Sequence, residues 1–268
     1  MNSPVVRLVV RAKDEAPKIG RTLEQLAAQT AAGQAEVVVV DSGSSDGTVE
    51  IARSAGVRVI EIPPESFTYG HSLNVGCQDA KTPLLAALSA HAPPLDDEWL
   101  ARLLAAFDDA RVACACGFAK APDGGQLSAP FLQDADHARA HPYWGYSNSA
   151  GAFRAHLWRE YPFREDMPGT EDKEWAWHWL QRGMLVLVDP SLATAHSHRD
   201  DGPLETYRRA RSEWKGFASF LELPPYGVRD LAHDWWAVQD GYSSHLRARV
   251  GWRRVAKLAG AWRGRNAA

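Results

Sequence analysis

The residues able to do chemistry fall in five short stretches. Glu171-Asp172, with Glu174 close behind, opens a helical pattern through Trp175, Trp179 and Leu180 that stops at Gly183. Acidic residues suit a helix N-terminus and Thr170 can cap it, but three carboxylates exceed what capping needs. Asp41-Ser42-Gly43-Ser44-Ser45-Asp46-Gly47-Thr48 follows four consecutive valines. Asp41, at the tip of that strand, can accept hydrogen bonds from a base or a ribose. The plainer alternative is that Asp46 or Thr48 caps the next helix, which requires neither Asp41 nor both glycines. In Phe67-Thr68-Tyr69-Gly70-His71-Ser72-Leu73-Asn74, Gly70 permits a tight turn into a helix start. The free N–H groups of such a start can meet a phosphate, with His71 and Asn74 as side-chain donors. A bare helix entry with a half-buried histidine reads the same way. His91 closes Ser89-Ala90-His91 at a strand end, where a lone histidine is commonly structural. His196 and His198 alternate on an extended segment and face one way, a geometry that suits two metal ligands.

The elements that must position these residues follow from periodicity. Val5 to Val10, Val37 to Val40 and Val57 to Ile62 read as strands, separated by an amphipathic helix (Ile19, Leu23, Leu26, Ala27) and a second helix from Val49. Runs of β-branched residues mark strands buried on both faces, as in a parallel sheet. Leu84 to Leu88, Val112 to Phe118 and Met184 to Val188 add further strands. The β-α-β-α-β order predicts a doubly wound, mostly parallel α/β sheet with right-handed crossovers. Ligands of such sheets sit at the carboxyl ends of the strands, where the Asp41 loop and His91 fall. Residues 131 to 146 read as a loop rich in histidine and aromatics, and Ser147 to Phe153 as a short strand whose small residues allow close backbone approach. The predicted division is a catalytic domain over 1–204 and a helical extension, rich in tryptophan and arginine, over 205–268.

Composition narrows the function. At 268 residues the chain has room for one large core. A net charge of −3 argues against nucleic acid as the partner. No Gly-x-Gly-x-x-Gly follows the first strand, which argues against a nicotinamide cofactor. Three cysteines lack metal-like spacing, and the start runs straight into a strand, so a cytoplasmic setting is expected. From Leu246 to Arg265 the chain carries seven Arg or Lys residues and no acid, with Leu246, Val250, Leu258 and Trp262 at helical spacing. Such a helix can lie peripherally on an anionic membrane face, or pack on the catalytic domain with its basic side in water.

The order and placement of these stretches resemble the family 2 glycosyltransferases of GT-A fold, with the Phe-x-x-Gly-x-x-x-Asn segment similar to the rhamnosyltransferase-like branch. The resemblance runs over about residues 4 to 200. It implies that Arg11, Glu15, Asp41, Ser44, Asp46, His71, Asn74 and Ser89 surround a donor nucleotide. It implies that Asp172 is the base that deprotonates the acceptor hydroxyl, with Glu171 binding the acceptor or orienting that base. One departure stands out. Where the family places metal-binding aspartates, this chain has His91. The resemblance then implies a divalent ion, Mn2+ or Mg2+, or the donor diphosphate itself, held by His91, His196 and His198; imidazole suits Mn2+ better than Mg2+.

The implied reaction moves a sugar, with inversion, from a nucleoside diphosphate sugar to a hydroxyl on a glycan, a lipid-linked acceptor or a small molecule. Two other classes remain: a catalytically degenerate sugar-nucleotide binding protein, against which the Glu171-Asp172 pair argues, and a nucleotidyltransferase, against which the glycine-free Arg11 to Glu15 argues.

Overall fold

A computed structural model of the chain describes residues 3–196, 202–223, 226–237 and 251–266. Its centre is an eight-stranded sheet in the order β3-β2-β1-β4-β7-β5-β8-β6. The strands are β1 (Val6–Ala12), β2 (Ala35–Asp41), β3 (Arg58–Glu61), β4 (Leu84–Ser89), β5 (Val112–Cys116), β6 (Phe131–Gln133), β7 (Ala150–Arg154) and β8 (Leu185–Val188). All run parallel except β7 and β6, which oppose their neighbours. The helices before the C-terminal region are α1 (Ala16–Ala27), α2 (Thr48–Ser54), α3 (Tyr69–Cys77), α4 (Trp99–Ala105), α5 (Ala135–Ala140), α6 (Ala155–Glu160) and α7 (Glu171–Leu180).

Side-chain alternation along the strands builds two cores, one on each face. Leu8 and Val10 of β1 pack with Ile19 and Leu23 of α1 and with Trp99, Leu100 and Leu103 of α4. Val9 faces the other way and joins Leu73 of α3, Phe153 of β7 and Trp175 and Trp179 of α7. Helices therefore cover both faces, which is why the central strands are largely apolar. The doubly wound, mostly parallel sheet expected from the sequence is present.

Two local expectations need correction. Residues 131 to 146 are not all loop: they contain the edge strand β6, paired antiparallel with β8, and the short helix α5. Asp134 starts α5 by accepting a hydrogen bond from the His137 N–H at 2.9 Å. Thr170 does not cap α7 with its side chain. It adopts a left-handed backbone (φ 64°), and its hydroxyl donates to the Gly169 carbonyl at 2.5 Å.

Beyond the sheet lie α8 (Pro203–Ala218), α9 (Val228–Ala237) and α10 (Trp252–Arg265). The expected boundary at 204/205 falls inside α8. Glycines let this helix approach its neighbours closely on two sides. A Cβ on Gly260 would sit 2.4 Å from the Tyr207 carbonyl, and one on Gly264 would sit 2.3 Å from the Arg211 carbonyl, so α10 lies tight against α8. On another side, a Cβ on Gly216 would sit 2.4 Å from the Gly169 carbonyl, and the Ser212 hydroxyl donates to the Pro168 carbonyl. The loop that starts α7 is thereby clamped by α8.

Candidate active site

At the carboxyl ends of β1 and β4, where parallel neighbours diverge, a cavity of about 630 Å³ opens. Arg11, Tyr69, Ser89 and His91 line one part of it; Ser147, Ser149 and the segment 168–173 line another; His196 and the α8 residues Glu205, Arg208, Arg209, Ser212, Glu213 and Phe217 complete the wall. Glu171, Asp172, Arg11, Ser89, His91 and His196 are thus brought together from four separate stretches.

The acidic pair has defined partners. Asp172 Oδ2 accepts from the Asn148 N–H at 3.1 Å and Oδ1 from the Lys173 N–H at 2.8 Å. Glu171 is buried, accepts from Asn148 Nδ2 at 3.2 Å and lies 3.7 Å from Arg11 Nη1. Burial, and then the neighbouring Asp172, push the Glu171 carboxyl up to about 7, against the pull of Arg11 and Asn148. Glu174, the third carboxylate, turns away from the cavity and accepts from the Tyr161 hydroxyl at 2.7 Å. Arg11 itself is held by the Asn148 carbonyl at 3.1 Å and stands over the Tyr69 ring. Its Nε and Nη1 are buried and make no hydrogen bond among the described residues. A buried guanidinium with spare donors on a cavity wall is equipped for an oxyanion.

The histidines form a second group. His91 Nδ1 is 2.7 Å from Glu15 Oε1, and the His91 and His196 rings stack at 4.9 Å between centroids. Burial, followed by the nearby His91, Arg209 and Arg11, lowers His196 to about 4. At neutral pH His196 is therefore an uncharged imidazole. His198 lies outside the described residues. No three His, Cys, Asp or Glu side chains converge as a metal cage among the described residues. The donor types still fit a divalent transition ion: the stacked His91 and His196 offer two imidazoles, and His91 stands beside Glu15, whose Oε2 has Lys18 Nζ at 3.3 Å.

The remaining expected donor-site residues lie apart from this cavity. Asp41, Ser44 and Asp46 stitch two loops together. Asp41 Oδ1 accepts from the Gly43 and Ser44 N–H groups, both at 2.9 Å, and Oδ2 accepts from the Ser44 hydroxyl. Asp46 accepts from the Ala16 N–H at 3.0 Å and from Thr48, bonds that hold its carboxyl below the usual range. Ser44 Oγ accepts from the Asp14 N–H at 2.8 Å. Asn74 holds the 163–165 loop: its Nδ2 donates to the Phe163 carbonyl at 2.8 Å and to Glu165 at 2.9 Å, while Oδ1 accepts from Trp158 Nε1 at 2.9 Å and the Phe163 N–H at 3.2 Å. His71 Nδ1 is 3.0 Å from Glu165.

Several lining residues carry no signal in the sequence. Lys173 and Asn148 sit in motifs already singled out, one directly after the acidic pair and one between two serines. The α8 residues had no such marker. Glu213 is raised by burial, with Arg209 opposing, and faces the charges of Asp172 and Lys173.

A mostly parallel sheet with its site at the strand ends and a helical flank is the GT-A glycosyltransferase architecture. The mannosyltransferase PcManGT of Pyrobaculum calidifontis, solved with GDP-Man and Mn2+, superposes with a TM-score of 0.66 at 21% identity, covering 95% of this chain and 74% of that one. Glucosyl-3-phosphoglycerate synthase of Mycobacterium tuberculosis, solved with Mn2+, UDP and glucosyl-3-phosphoglycerate, gives 0.60 at 16% identity, covering 84% and 82%. At such identities these likenesses establish the fold. By sequence, glycosyltransferase AglE of Haloferax volcanii is 35% identical over 104 residues, which is 37% of this chain and 34% of that relative's length. The model of glycosyl transferase family 2 matches residues 8–188, and the chain belongs to that family.

Proposed function

We propose that this chain transfers a sugar, with inversion, from a nucleoside diphosphate sugar to an acceptor hydroxyl, with Asp172 as general base. The observation that carries this is the shared cavity: Glu171-Asp172 opens onto the same space as Arg11, His91 and His196. Asp172 takes the acceptor proton as the acceptor oxygen bonds to the anomeric carbon and the carbon–diphosphate bond breaks. The backbone N–H groups of Asn148 and Lys173 fix the orientation of its carboxylate. Glu171 holds a proton at higher pH than an ordinary glutamate, so it limits the charge crowded beside the base and keeps a donor for an acceptor oxygen. Arg11, on the cavity wall, places positive charge near the diphosphate, where negative charge develops. A divalent ion held by His91 and His196 would neutralise the same charge. Ser89, on the same wall as Arg11 and His91, borders the nucleoside side.

Asp172→Asn tests the assignment, because the amide oxygen still accepts one backbone N–H. Turnover is expected to fall by at least about a thousandfold, with nucleotide affinity within about twofold. Full turnover in Asp172→Asn refutes the base. Donor binding without transfer or donor hydrolysis in the unmodified protein identifies a binder. Pyrophosphate release from a nucleoside triphosphate identifies a nucleotidyltransferase.

A further inference from the structure

The outward side of α10 differs from the one the sequence pattern picked out. Leu258 is buried against the protein at 8% exposure, and Leu246 and Val250 lie outside the described residues. The exposed stripe is instead Trp252 (44%), Val255 (48%), Ala259 and Trp262 (40%), spaced along one side of the helix. Two tryptophans left in water on one helix side are costly unless something covers them. The cations beside them say what does. α10 has five Arg or Lys residues and no acid. Arg254 is buried, Arg265 packs on Trp214 and Tyr226, and Arg253 and Lys257 lie near Arg209 and Glu213 of α8, but Arg263 stands exposed beside Trp262 with Arg211 of α8 next to it. Arg253 lies over the Trp252 ring at 4.7 Å and Arg263 over the Trp262 ring at 6.0 Å. Next to Trp262 a groove of about 350 Å³ is lined by Tyr207, Arg211, Trp262, Arg263 and Asn266, with both arginines exposed.

We propose that this side of α10 docks on an anionic phospholipid surface, with Trp252, Val255 and Trp262 in the interfacial layer and a lipid phosphate in the groove between Arg211 and Arg263. Amphipathic indole rings favour the headgroup boundary, and guanidinium groups bind phosphate bidentately. A net charge of −3 for the whole chain makes the local excess of cations a directional feature that turns α10 toward the membrane. No described helix is long and apolar enough to cross a bilayer, so the contact is peripheral.

Co-sedimentation of the full chain with vesicles tests this, using phosphatidylcholine alone and phosphatidylcholine mixed with phosphatidylglycerol. The chain is expected to bind the mixed vesicles, and salt is expected to weaken binding. Trp252→Ala/Trp262→Ala and Arg211→Glu/Arg263→Glu are each expected to reduce partitioning at least about tenfold, with thermal stability and nucleotide affinity retained. Failure of the unmodified chain to bind mixed vesicles overturns the proposal. So does equal binding by both double variants, inorganic phosphate binding without vesicle binding, or a concentration-dependent dimer that the tryptophan variant abolishes.

Discussion

Replacing Gly216 with alanine asks whether α8 sets the position of the Glu171-Asp172 carboxylates. The new Cβ would lie 2.1 Å from Thr170 Oγ1 and 2.4 Å from the Gly169 carbonyl oxygen, where ordinary contact begins near 3.4 Å. The hydroxyl can rotate away, but the carbonyl cannot, so helix and loop must part by about 1 Å. Overpacking of this kind costs about 1–3 kcal/mol, offset by up to about 1 kcal/mol from alanine's better helix propensity. The net loss of about 1–2 kcal/mol lowers Tm by about 2–8 °C for a chain of this size. Glu171 and Asp172 follow Thr170 directly, so the same displacement reaches the proposed base, and a shift of about 1 Å at a reacting group costs about a hundredfold. Gly260→Ala is the control. It meets the Tyr207 carbonyl at 2.4 Å on the α10 side of α8, away from the loop. Thermal unfolding and sugar-transfer kinetics on both variants should show similar losses of stability, but a fall of about a hundredfold in kcat/KM for Gly216→Ala alone, with Gly260→Ala within about threefold. Equal kinetic losses in the two variants, or full activity in a destabilised Gly216→Ala, would refute the clamp.

Asn74→Ala removes four hydrogen bonds, three to the 163–165 loop and one from Trp158; urea unfolding should show a loss of about 2–4 kcal/mol, while nucleotide affinity measured by calorimetry stays within about threefold. Glu171→Gln should change the pH profile of stability. The native carboxyl is raised to about 7, so its contribution is fullest below the ordinary value of 4.5 and is lost as pH rises through about 7. The Tm of the variant relative to the native chain should therefore climb from about pH 5 to about pH 8, and a flat difference excludes the buried proton. Calorimetric titration with UDP, GDP and dTDP, each with Mn2+, Mg2+ or chelator, should show one nucleotide favoured and Mn2+ preferred over Mg2+; binding indifferent to chelator assigns His91 and His196 to the phosphate directly.

Much of the sheet was legible because both-face burial leaves an unmistakable trace: Val37 to Val40 and Leu84 to Leu88 have no alternative as buried strands. The acidic pair was legible because its charge exceeded what a helix start requires. What stayed hidden depends on tertiary contact. The edge strand β6 is only three residues long, too short for periodicity, and owes its existence to β8. Asn74 and His71 have the chemistry of phosphate donors, yet Glu165, distant in sequence, claims both. Thr170 has a capping side chain, but α8 and the left-handed turn leave its hydroxyl on Gly169. The part played by α8 in the cavity had no local pattern at all, since Arg209 and Glu213 look like the polar side of any surface helix.

The reversed direction of β7 has a consequence for how such a site can diversify. Its neighbours β4 and β5 end near the cavity, whereas β7 begins there, so Ser147 to Ser149 reach the substrate space at the head of a strand. The excursion from Gly117 to that strand head is anchored at both ends by the ladder. Within it β6 is fixed by its pairing with β8, but the exposed stretch 122–126 can lengthen, shorten or exchange side chains at small entropic cost without shifting the register of any parallel strand. The half of the sheet that carries the Asp41 loop has no such freedom, because its loops are tied to each other through Asp14, Ser44, Asp46 and Thr48. Variation around that strand head is thereby decoupled from the loops that Asp14, Ser44, Asp46 and Thr48 tie together.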